Sequence, residues 1–247
     1  MEVHHHPHVE KKKFKEYCFE FLMIFLAVTM GFFAESVREN ISNNEHAKLL
    51  TRQLVKDLET DTLNLTRIIN FEDSQRRTID TLFFLLQQPI ATADTKSIQQ
   101  LIFNSYALEL FNPSEGAISA IEKELNIKQF AGTELPGLIT YYKHLTSVNK
   151  EGENLVMRLI EEHIETFMYA HFMPMNAYNV FAKNGSVIEA GMRNLTQEGM
   201  TDLSVKMMTI GGLISSMVSL EEKLKEEAKR IIEYVVKQFN LTTEGKL

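Results

Sequence analysis

His163 and His171 lie eight residues apart, on one face of the chain if that stretch is helical, with Glu161 and Glu162 beside them. Imidazoles and carboxylates at such a spacing could hold a metal ion or exchange protons with a substrate. A dinuclear iron centre in a helical bundle would demand more, a Glu-X-X-His pair on each of two facing helices. The residues three before His46, His144, His163 and His171 are Asn43, Tyr141, Ile160 and Met168, so that pair is missing. A solvated face, or a hydrogen-bonded histidine at a bundle edge, is the simpler account of His163 and His171. The cluster His4, His5, His6, Pro7, His8 could bind a transition metal through neutral imidazoles, but no carboxylate or thiol framework surrounds it, and a solvated tail is expected. Zincin, phosphate-loop and dinucleotide motifs are absent, and Gly245-Lys246 falls at the far end of the chain. Ser114-Glu115-Gly116 and Ser215-Ser216 read as cap and packing residues rather than nucleophiles. No catalytic residue, metal ligand or cofactor is assigned, and the expectation is a protein that is not an enzyme.

The elements that would carry any such site are helices. Over 247 residues there are only five prolines and eleven glycines, and few breakers over that length favour long helices. A membrane span and a few long helices account for the length without a second core. Residues 1 to 34 carry four Lys against four Glu, so the whole formal charge of −7 falls on residues 35 to 247. An acidic outer domain argues against nucleic acid and against an anionic lipid surface as its partner. Cys18 is the single cysteine, which excludes an internal disulfide and a cysteine-based zinc site.

Phe21 to Ala34 is fourteen residues without a charge, short of the roughly 20 that a hydrocarbon core requires. Extension from Phe14 to Val37 gives about 36 Å of helix at about 1.5 Å per residue, provided Lys13 and Lys15 reach back to the headgroups. A transmembrane helix over 14–37 is therefore expected. A cleaved signal peptide is the rival reading; Phe32 makes cleavage after Ala34 poor, cleavage after Gly31 is sterically better, and retention is the expectation. Lys11, Lys12, Lys13 and Lys15 precede the span while Arg38 and Lys48 follow it, which puts the N-terminus in the cytoplasm. Asn-X-Ser/Thr triplets at Asn40, Asn64, Asn184, Asn194 and Asn240 would matter only in a eukaryotic secretory pathway.

Within the span, Glu20, Ala27, Gly31 and Ala34 fall on one helical stripe, continued by Arg38. Small residues let membrane helices approach closely, and an acidic group near lipid favours protein or water over acyl chains. A helix contact along this face is expected; a glutamate at headgroup level beside incidental small residues is the alternative.

Beyond the span, Ala47, Leu50, Leu54, Leu58, Leu65 and Ile68 recur at helical spacing, and nothing between Glu35 and Asn44 prevents this helix from continuing the anchor. A further helical stretch is predicted for Ser74 to Gln88, ending before Pro89. A short helix capped by Asp94 or Thr95 should reach Leu110, and a brief one should run from Ala117 to Leu125. Gly132 to Pro136 breaks the pattern, a long run extends from Leu138 to Phe172, and Met173 to Gly199 is irregular. A last helix capped by Asp202 ends near Asn240. That helix holds a second uncharged run, Met207 to Leu220, read as a buried bundle helix in which Gly211, Gly212, Ser215 and Ser216 permit close packing. The expected fold is all-α: a cytoplasmic His/Lys-rich tail (1–13), a single N-terminal transmembrane helix (14–37), an elongated antiparallel helical bundle (38–240) and a flexible C-terminus (241–247).

Val-His-His-His-Pro-His, then Lys-Lys-Lys-Phe-Lys-Glu-Tyr, then the run from Phe19 to Ser36, then Leu-Val-Lys-Asp-Leu-Glu-Thr-Asp-Thr from Leu54 together resemble a family of uncharacterised membrane proteins common in Bacteroidota. The resemblance is close over residues 3 to 70 and looser beyond. It implies one N-terminal span, a helical domain and a bacterial inner membrane, with that domain periplasmic, and it brings no activity and no catalytic residues. The function expected is that of a structural or accessory subunit of a homo-oligomer or larger membrane complex, partnered by the lipid bilayer and by other subunits. A periplasmic ligand-sensing module is the alternative.

Overall fold

The computed structural model describes residues 13–124, 129–172 and 192–241. The His4 to His8 cluster, residues 173–191 of the stretch expected to be irregular from Met173 to Gly199, and the C-terminal residues 242–247 lie outside the described residues; Gln197 to Gly199 of that stretch open a helix instead. Every regular element among the described residues is helical. The chain divides into two compact units, Met1–Leu49 and Leu50–Leu247.

A single helix, α1 (Phe14–Leu86), takes in the predicted span and also the two helical stretches expected to follow it. Between Phe32 and Gln88 the chain has neither Gly nor Pro, so nothing interrupts the backbone ladder until Pro89. In the first unit the helix exposes apolar side chains on every side: Phe21, Leu22, Met23, Ile24, Phe25 and Leu26 are consecutive and all exposed. Six successive residues cover more than a full turn, so this segment has no polar face.

The second unit is built differently. Thr51, Leu54, Leu58, Asp61, Leu65, Ile68, Glu72, Gln75, Ile79, Leu82 and Leu86 are all buried, at alternating steps of three and four residues. This is the seam of a helix packed as in a coiled coil. The partner seam lies on α6 (Gln197–Gln238), where Met200, Leu203, Met207, Ile210, Ile214, Met217, Glu221, Leu224, Ala228, Ile231 and Val235 keep the same alternation. The uncharged run 207–220 therefore turns a buried stripe into the core. Of the most apolar window in each helix, 39% is buried in α6 and 0% in α1.

Between them lie α2 (Thr95–Ser105), α3 (Gly116–Lys123) and a long helix. That helix starts as α4 (Leu135–Leu159), passes through a π-helical turn (Ile160–Glu165) and ends as α5 (Thr166–His171). Its buried residues Val156, Ile160, Ile164, Met168 and Phe172 recur every four positions. Steps of four overshoot an α-helix of about 3.6 residues per turn, and the wider π turn absorbs the excess so that the stripe keeps facing the core.

Contacts along the helices fix their directions. Ile79 meets Gly211, and Gln87 donates to Ser204 at 2.9 Å, so α1 and α6 run antiparallel. Gly152 lies against Met217, and the Tyr234 hydroxyl accepts from the Glu134 backbone N–H at 3.0 Å, so α4 and α6 are antiparallel too. It follows that α1 and α4 are parallel. The bond from Tyr142 to Asp61 and the approach of Glu153 to Glu72, further along both helices, agree. The bundle is thus antiparallel across α6 but parallel between α1 and α4. A parallel pair needs a long crossover, and residues 87–134 with α2 and α3 provide it.

The caps differ in detail from expectation. Asp94 caps α2 by accepting from Ser97 N at 3.1 Å, but α2 ends at Ser105 rather than Leu110. Thr196, not Asp202, caps α6 by accepting from Gly199 N at 3.0 Å, while Asp202 sits in the second turn and pairs with Lys206 at 2.7 Å. Thr196 has the extended backbone that an N-cap needs, and a residue already inside the helix cannot adopt it.

Candidate functional site

Acidic residues occupy three seams at one level of the bundle: Glu72 on α1, Glu153 on α4 and Glu221 on α6, all at 0% exposure. Glu153 is well supplied with donors. It accepts from Phe111 N at 2.7 Å, Asn149 Nδ2 at 3.1 Å and Lys150 Nζ at 3.2 Å. Glu72 and Glu221 differ: among the described residues none of their four oxygens makes a well-formed hydrogen bond, although the Asn149 amide lies near enough to Glu221 to favour its charged form. Burial, and then the charge of Glu221, pushes Glu72 up to about 9. Burial, and then the charge of Glu153, pushes Glu221 up to about 7, with the neighbouring Asn149 amide working against the rise. The two carboxyls interact with each other and titrate as a pair.

A second buried polar cluster lies further towards the start of α1. Asp61 accepts from Ser114 N at 3.0 Å, Ser114 Oγ at 2.9 Å and the Tyr142 hydroxyl at 2.9 Å. Burial raises the Asp61 carboxyl above its ordinary range, opposed by the bonds from Tyr142 and Ser114. Burial and the adjacent Asp61 charge likewise raise the Tyr142 hydroxyl. Asp57 accepts from Ala117 N at 3.2 Å. Asp57, Asp61 and Glu153 thus take three backbone N–H groups of the segment 111–117, which would otherwise lose water without a partner. Together they fasten the crossover to α1 and α4.

Beside this fastening is a cavity of about 470 Å³, with Asn112, Pro113, Tyr142, Lys143, Ser147 and Lys150 in its wall. Lys143 is engaged by Glu122 at 2.7 Å, and Lys150 by Glu153.

The residues singled out from the sequence fall in several places. His163, in the π turn, and His171 border a shallow cavity of about 180 Å³ with Asp202 and Lys206. The His171 ring packs on Phe167 and its Nδ1 lies 3.1 Å from the Arg193 carbonyl. Among the described residues no group of three or more His, Cys, Asp or Glu side chains is arranged to hold a metal ion. Glu20, Ala27, Gly31 and Ala34 are all exposed on α1, with open space where a Gly31 side chain would project.

The four small residues of α6 divide. A Cβ at Gly211 would lie 3.1 Å from Ile79 Cγ2, whereas one at Gly212 would meet nothing within 4 Å. Ser215 and Ser216 return their hydroxyls to the carbonyls of Gly211 and Gly212 at 3.0 Å. Gly211→Leu is therefore expected to destabilise the fold by about 1–3 kcal/mol through overpacking. Gly212→Ala should stabilise it by roughly 0.5–1 kcal/mol through helix propensity. Thermal unfolding of the two variants beside the parent protein measures the contrast.

A search for metal and nucleophile motifs passes over the carboxylate layer. Its signal in the sequence is periodicity, because Glu72 occupies a position where the α1 stripe calls for an apolar residue and Glu221 does the same on α6; Asp61, in the second cluster, breaks the α1 stripe in the same way. No family model matches the chain, and no curated protein or solved structure matches it.

Proposed function

We propose that this is a non-enzymatic protein anchored in a bacterial inner membrane, a structural or accessory subunit of a homo-oligomer or larger membrane complex. The observation that carries the anchor is the ring of exposed Phe, Leu, Ile and Met side chains around α1 from Phe19 to Phe33, in a helix long and apolar enough to cross a bilayer. Leaving that surface in water costs a large free energy, and an amphipathic surface helix would have a polar side that this one lacks. The lysines before the span favour a cytoplasmic N-terminus and a periplasmic bundle. The family resemblance in the first 70 residues supports the same reading.

Assembly through the Glu20, Ala27, Gly31, Ala34 face rests on small residues at which a second helix could approach closely. Cross-linking and native mass spectrometry in mild detergent are expected to give a defined oligomer or complex, which Gly31→Leu disperses. A monomer unaffected by that substitution would sink the subunit reading. The ligand-sensing alternative is favoured by one feature, the cavity beside Tyr142 and Lys150, and a compound bound there would raise the melting temperature.

A further inference from the structure

The layer formed by Glu72, Glu153 and Glu221 holds more acceptors than donors. All four oxygens of Glu72 and Glu221, and Oδ1 of the buried Asn149 beside them, make no well-formed hydrogen bond among the described residues; the Asn149 amide, already given to Glu153 at 3.1 Å, is the one donor that also bears on Glu221. The charged groups around the pair are already committed on each helix. On α4, Lys150 is bound to Glu153 at 3.2 Å. On α1, Asp73 neighbours Glu72 and is bound by Arg76 at 3.7 Å. On α6, Glu222 neighbours Glu221 and is bound by Lys225 at 2.8 Å. Two facing carboxylates with no cation between them would repel at close range in a medium that solvates them poorly. A carboxyl that keeps its hydrogen becomes a donor to the carboxylate opposite, supplying the missing bond and removing one buried charge.

We propose that Glu72 and Glu221 share a proton at neutral pH and that its loss loosens the middle of the bundle, making this domain a pH-responsive element, tight in acid and slack in alkali. The proton belongs to the pair, and either carboxyl can donate it to the other. Both folded-state values are raised above the ordinary 4.5, so the folded protein retains protons that the unfolded chain gives up. The stabilisation is full below about 4.5 and is lost as pH rises through 7 and then 9.

The test uses the full-length protein in detergent micelles, with its melting temperature followed from about pH 5 to about pH 10. The parent protein should melt at progressively lower temperature, with unfolding favoured about tenfold more per pH unit for each proton retained. Glu72→Gln keeps a donor but has no proton to release, so its profile should flatten over the upper part of that range. Infrared spectra of the parent protein, which need no variant to fold, should contain a protonated-carboxyl stretch at neutral pH that disappears in alkali. Parallel profiles for parent and Glu72→Gln, or no such stretch, would overturn the proposal. A melting temperature that responds to sodium or potassium but not to pH would also overturn it, assigning the layer to a cation.

Discussion

The double substitution Phe25→Arg and Leu26→Arg is expected to shift the protein from the membrane to the soluble or aggregated fraction. These positions lie at the middle of the 14–37 segment, 55% and 49% exposed, where a bilayer would place its least polar region. A charged residue at a helix centre costs about 2.5–3.5 kcal/mol on insertion scales, so two cost about 5–7 kcal/mol, close to four or five decades in partitioning. Snorkelling relieves an arginine near the headgroups, but both sites are too central for easy escape. Leu63→Arg is the control: Leu63 is 73% exposed in the second unit, and the change there should leave the protein in the membrane. Fractionation followed by alkaline carbonate extraction reads the outcome. Retention of the double variant as an integral protein would refute the anchor.

Much of this architecture was legible because it depends on local rules. The stop at Pro89, the Asp94 cap and the apolar stripe through Leu54, Leu58, Leu65 and Ile68 are each set by residues a few positions apart, while the break expected over Gly132 to Pro136 ends early, because a proline fits the first turn of a helix and α4 begins at Leu135. The direction of the helices was not. That α1 and α4 run parallel depends on where a crossover of residues 87–134 returns, and no local spacing records it. The π turn also escaped, because the steps of four from Val156 to Phe172 look like an ordinary apolar stripe until its drift is followed over several turns. The carboxylates Asp61, Glu72 and Glu221 were visible as breaks in the three-and-four periodicity of α1 and α6, yet a charge on a seam acquires meaning only once its cross-helix neighbours are known. Asp61 meets Tyr142 and Ser114, while Glu72 meets another acid. Sequence spacing lends the two positions the same appearance.

The contrast makes Asp61 the more stringent test of how the crossover is held. Asp61→Ala removes one acceptor from three donors: the Tyr142 hydroxyl, the Ser114 hydroxyl and the Ser114 backbone N–H. Each buried donor left unpaired costs about 1–3 kcal/mol, and partial relaxation leaves an expected loss of about 3–5 kcal/mol, a large part of the stability of an ordinary domain. Asp61→Asn should behave otherwise. Its Oδ1 can still accept from Ser114, its amide can donate to the Tyr142 oxygen, and the buried charge whose desolvation raises the Asp61 carboxyl is gone. A cost below about 1 kcal/mol is expected, with less weakening as pH rises, because a raised carboxyl loses its stabilising contribution on the alkaline side. Tyr142→Phe, which leaves Asp61 its two bonds from Ser114, should fall between the two at about 1–2 kcal/mol. Denaturant unfolding of the three variants orders them. Equal losses for Asp61→Asn and Asp61→Ala would mean that the carboxylate charge, rather than its capacity to accept hydrogen bonds, holds residues 111–117 in place.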